Sequence, residues 1–109
     1  MNSALGRAGN EERMVTVATR ITKIHIVEGF DILVRDHNGK KVSEAEQGIM
    51  GPYDYKAKLP DKKTVADWIR CRFEPNFDEL TCEVLDGRGW AADPEDTLAV
   101  VRASYFGGE

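Results

Sequence analysis

Tyr53-Asp54-Tyr55-Lys56-Ala57-Lys58-Leu59-Pro60-Asp61-Lys62-Lys63-Thr64-Val65-Ala66-Asp67-Trp68-Ile69-Arg70-Cys71-Arg72-Phe73 changes its hydrophobic period part-way along. Tyr53, Tyr55, Ala57 and Leu59 alternate with Asp54, Lys56 and Lys58, the period-2 pattern of a half-buried strand. Pro60-Asp61 stops that strand. Thr64 and Asp67 then form a capping box, and Val65, Trp68, Ile69 and Phe73 fall on one stripe at helical spacing. Pro75 closes the helix.

Strand patterns lie on both sides of this helix. Upstream, Phe30, Ile32 and Val34 face one way before Asn38-Gly39, which predicts a type I′ hairpin turn. Residues 40–52, broken by Gly48, Gly51 and Pro52, read mostly as loop. Earlier still, Val15, Val17, Thr19 and Ile21 alternate on one parity and Ile24 and Ile26 on the other, so Met14–Val27 reads as an extended segment with a slip near Thr22-Lys23. Downstream, Leu80, Cys82 and Val84 alternate before the turn Asp86-Gly87-Arg88-Gly89. Ala99, Val101, Ala103 and Tyr105 predict a last strand. The expected class is α+β: a mixed sheet with one amphipathic helix and an extra N-terminal strand segment. Residues 1–13 read as a disordered tail and residues 14–105 as one domain, with no internal repeat.

Composition narrows the function. The chain has 109 residues, of which 41% are hydrophobic, enough for one core. Fifteen Lys and Arg are spread among 19 Asp and Glu, giving a net charge of −4. Holding a phosphate backbone needs clustered cations, so nucleic-acid binding is not expected. No stretch has the length of a membrane span and no apolar run marks a signal peptide. Cys71 and Cys82 then read as reduced thiols of a cytoplasmic protein.

Candidate reactive groups are sparse. His25, His37, Cys71 and Cys82 lack metal-ligand spacing, and a strand histidine, a turn histidine and two small buried thiols account for them. The same packing is weighed against a Cys–His nucleophile pair. Asp93-Pro94-Glu95-Asp96 reads as a solvated turn, and Gly87-Arg88-Gly89 precedes no helix as a phosphate loop would. No metal, cofactor or enzymatic activity is expected. Arg72 lies within the apolar stripe; it either snorkels at the helix end or pairs across the domain, for instance with the final strand.

The C-terminus carries the remaining signal. After Tyr105 the chain ends Phe106-Gly107-Gly108-Glu109. Residues 106–109 read as a flexible arm that reaches roughly 13–14 Å, and its glycines lack the Cβ that would obstruct a narrow channel. Together with the strand ending Leu59-Pro60-Asp61, the helix opening at Thr64 and a last strand leading to Gly107-Gly108, this tail resembles the ubiquitin-like β-grasp proteins, in particular the bacterial ubiquitin-like modifiers. The resemblance spans residues 29–108, with Phe30–Arg35 expected to pair with Tyr53–Lys58. Two features depart from the pattern: the long stretch between Asp36 and Tyr53, and the added segment 14–27, a candidate oligomer contact.

The resemblance implies a protein modifier rather than an enzyme. A processing metalloprotease would remove Glu109, an activating enzyme would adenylate the Gly108 carboxylate, and a conjugating enzyme would pass it to a target lysine as an isopeptide bond. Gly107 would give clearance, while Phe106 and Tyr105 would help docking or serve edge-strand packing. Three alternatives stand beside it. A sulfur carrier would use a C-terminal thiocarboxylate, and a Pup-type modifier shares only the Gly-Gly-Glu end. The third is a non-enzymatic interaction or self-assembling domain.

Overall fold

The computed structural model describes residues 15–106. The sequence-based boundaries at 1–13, and Gly107, Gly108 and Glu109, lie outside them. The architecture is α+β: helix α1 (Val17–Glu28), strand β1 (Asp31–Asp36), helix α2 (Val65–Trp68), which continues as a π-helical turn over Ile69–Phe73, strand β2 (Leu80–Leu85) and helix α3 (Leu98–Ala103). The strands form one antiparallel ribbon in which Asp31 faces Leu85 and Asp36 faces Leu80.

Several expectations are corrected. The segment 14–27 is no extra strand, because from Val17 it is helical. Its parity slip was the helical period: Val17, Ile24 and Glu28 are buried, with Ile21 partly so. Thr16 caps the helix through its Oγ1, and Gly29 ends it at φ 90°. Residues 99–105 hold no strand either. Thr97 caps α3, whose buried Leu98, Val101 and Arg102 follow i, i+3, i+4 spacing. Tyr53–Leu59 forms no strand and bends at Ala57, so the expected pairing with Phe30–Arg35 is absent; β1 pairs with β2 instead. The Asn38-Gly39 turn is not type I′, since Asn38 keeps a negative φ and only Gly39 turns left-handed.

The chain also contains an internal repeat that the sequence reading missed. Thr16-Val17-Ala18 opens the first helix and Thr64-Val65-Ala66 the second, with Ile21 and Ile69 in matching places. Fifty positions separate Val34 from Val84, Asp36 from Asp86 and Gly39 from Gly89. The hydrogen bonds repeat with the residues. Asp36 Oδ1 accepts from the N–H groups of Asn38 and Lys40, and Asp86 Oδ1 from those of Arg88 and Trp90. Gly39 and Gly89 close these turns at φ 85° and 86°, a region that a side chain rarely tolerates.

The loops after both turns serve the same purpose. Val17 and Ala18 donate to the carbonyls of Glu46 and Glu44, while Val65 and Ala66 donate to those of Asp96 and Pro94. Each helix start, which has no intrahelical acceptors of its own, is thus satisfied by the loop of its own half. The ribbon register is symmetric as well. Leu33 faces its counterpart Glu83, and the Asp31–Leu85 pair matches Arg35–Thr81. The molecule is therefore two like halves, 16–47 and 64–97, joined through a ribbon with a local two-fold. Their spacing shifts from 48 to 50 positions between helix and strand, where the second helix widens into its π turn.

Candidate functional site

The two halves continue into different segments, and this difference builds the two surface features of interest. After Thr97 the chain continues as α3 and runs back into the groove between the Asp86–Trp90 turn and the α1–β1 junction. Ser104 Oγ accepts from the Gly87 N–H at 2.8 Å. A Cβ at Gly87 would stand 2.6 Å from the Ser104 carbonyl carbon and overlap its oxygen, so the close approach requires glycine there. Tyr105 then wedges into the end of the ribbon. Its hydroxyl accepts from the Asp31 N–H at 2.9 Å and donates to the Leu85 carbonyl, and its ring packs edge-on against His25. Burial pushes the phenol pKa up, which keeps the donor protonated.

Phe106, the next residue, is 83% exposed, and Trp90 beyond the same turn is 66% exposed. The two aromatics of the expected docking pair thus part company. Tyr105 packs into the fold, in a ribbon-end role close to the packing alternative, while Phe106 stands outside. Gly107, Gly108 and Glu109 come after it, beyond the described residues.

Arg102 anchors the segment from within. Its guanidinium donates to the Glu28 carbonyl at 2.6 Å, the Glu28 carboxylate at 3.2 Å and Asp61 at 2.7 Å. Glu28 is fully buried and its carboxylate is saturated. Oε1 accepts from Arg102 and the Leu59 N–H, and Oε2 from Tyr53 and Arg72. Trp68 Nε1 donates in turn to the Tyr53 hydroxyl. Burial together with the carboxylate raises the Tyr53 pKa and leaves it a proton donor. Every oxygen is committed to the fold, so this cluster is a structural staple. Arg72 does make an ion pair across the domain, but to Glu28 at 2.6 Å rather than to the C-terminal segment, and it also lies over the Tyr55 ring. The staple holds Leu59 and, through the Ala57 carbonyl, the irregular segment 53–59 that has no ladder of its own.

The first half has no such closure. After Gln47 the chain turns at Gly48, φ 80°, and leaves through Gly51-Pro52 towards the second half. At the place corresponding to the filled groove lies a cleft of about 610 Å³, bounded by Asp36, His37, Lys40–Ser43, Glu46 and Ile49 on one side and Asn76–Leu80 on the other.

The other sequence candidates are scattered. His25 sits in helix α1, not a strand, with Nδ1 2.9 Å from Asp31. Cys71 is exposed rather than buried, whereas Cys82 is largely covered and its thiol pKa is pushed up by that burial. The turn Asp93–Asp96 forms as expected, with Asp93 Oδ1 accepting from the Glu95 N–H. Among the described residues, no three His, Cys, Asp or Glu side chains gather as a metal site, and no helix is long and apolar enough to cross a membrane. In comparisons with known proteins the chain matches no family model, no curated protein and no solved structure.

Proposed function

We propose that the chain is a protein-recognition module that presents its own C-terminus, and in the sharper form a ubiquitin-like modifier. One observation carries this reading: Tyr105 is pinned between the ends of both strands while Phe106, one residue on, is 83% exposed. The tail therefore starts from a fixed point against Gly87, in the turn that leads to the exposed Trp90, and large aromatics of this kind are favoured anchors in protein interfaces. A processing protease, an activating enzyme and a conjugating enzyme would all read this end in the cytoplasm. Removal of Glu109 and activation of the Gly108 carboxylate would then let it acylate a target lysine. A β-grasp relationship is the finer fold reading that accompanies it. The ribbon and the capped α2 fit that reading, while the helical α3 departs from it.

Intact mass of an N-terminally tagged copy from the native host, beside Gly108→Ala, tests the proposal. Loss of a glutamate residue, with adducts absent from the variant, is the expected result. Sulfur replacing oxygen at the new terminus would indicate a sulfur carrier. An unchanged mass without adducts would remove the modifier and leave a plain binding module, which the open cleft favours.

A further inference from the structure

Independently of what happens to the tail, the internal repeat assigns a use to the cleft of the first half. In the second half the corresponding groove, between Asp86-Gly87 and Glu28–Phe30, is filled by Arg102–Tyr105 of the same chain. In the first half, Asp36-His37 match Asp86-Gly87 and Leu80 matches Phe30, and together with Asp78 and Glu79 they bound an open cleft of about 610 Å³, a volume typical of binding sites.

The chemistry corresponds too. In the filled groove the carboxylate of Glu28 receives Arg102, and on the rim of the open cleft stand two exposed acids, Asp78 and Glu79. Asp36, Glu46, Asp78 and Glu79 outnumber Lys40 and Lys41 along the cleft, and Ile49 and Leu80 line it with apolar surface over the buried Phe77. We propose that this cleft docks a short helical segment of a partner protein, one that carries a cation and, three residues later, an aromatic ring, in the pattern Arg102-Ala103-Ser104-Tyr105. The acidic rim selects the cation, and the apolar surface receives the ring. His37 stands where Gly87 does, so the occupant lies further out than Ser104 and is held by side chains rather than by backbone approach.

The probe is a synthetic peptide of residues 95–106 of this chain, titrated into the whole isotopically labelled protein and followed by amide NMR shifts. Saturable shifts at 36–42 and 76–80, with half-saturation below about 1 mM, are expected. The pair Asp78→Lys, Glu79→Lys, on exposed residues, should weaken binding about tenfold, whereas Glu95→Lys, a charge reversal outside the cleft, should leave it unchanged. Shifts confined to Asp31, Leu85 and Gly87 would show the peptide exchanging with the native C-terminal segment and would overturn the assignment. Equal binding of a scrambled peptide would overturn it as well. So would a sedimentation dimer abolished by the double reversal, which would give the cleft to a second copy of the chain.

Discussion

Residues 16–47 and 64–97 begin with the same threonine cap and share the same aspartate-glycine turn, yet only the second half is closed by its own continuation. The cause lies in the next few residues. Leu98, Val101 and Arg102 give the second half an amphipathic turn of helix, while Gly48, Gly51 and Pro52 turn the first half away into a connector. Shared turn chemistry therefore fixes the scaffold of each half. Whether a groove becomes core or surface depends on the segment that comes next in the chain.

Substitutions in the two grooves sharpen this contrast. The largest expected difference is at the acids. Glu28→Ala strands two arginines in the interior and should cost about 3–5 kcal/mol in urea unfolding, whereas Asp78→Ala should stay within about 0.5 kcal/mol. Next come the turns: Gly87→Ala drives a Cβ into the Ser104 carbonyl and should cost about 1–3 kcal/mol, while His37→Ala should be near neutral. Tyr105→Phe removes the hydroxyl that joins Asp31 to Leu85, and about 1–2 kcal/mol should be lost. The caps should respond alike, with Thr16→Ala and Thr64→Ala each costing about 1 kcal/mol. A marked inequality there would break the equivalence of the two helix starts.

The smallest effect concerns pH. Backbone N–H groups hold the Asp36 and Asp67 carboxyls below the ordinary 3.8, and Arg102 does the same for Asp61. Groups with a depressed folded pKa stabilise the fold above 3.8, and that contribution is lost as pH falls through their lowered values. The urea midpoint should hold steady above this range and decline below it. A midpoint that rose with acidification would contradict the assignment.

The α2 stripe, both strands of the ribbon and the places of the two aspartate-glycine turns, though not the type of the first, were legible because their signals are local: period, cap and turn residues. Residues 17–28 and 98–103 were not. Both are rich in β-branched residues or alternating apolar ones, which mimic a strand, and their first N–H groups bond to carbonyls elsewhere in the chain, at 44–46 and 61–63. The repeat was hidden by its changing offset and by the few identities that mark it. At the C-terminus, Tyr105 and Phe106 stood out as aromatics, but their different surroundings could not be read. Arg102 went unnoticed, although its place beside Val101, four after Leu98, puts it on the buried face of a helix.

Amide hydrogen exchange of the whole chain tests the closed and open halves most directly. The Gly87 and Asp31 amides, which donate to Ser104 and Tyr105, should exchange about tenfold or more slowly than the amide of His37, the counterpart of Gly87 in the open half. Equal exchange at Gly87 and His37 would mean that the C-terminal segment does not close its groove, and the contrast between the two halves would fall.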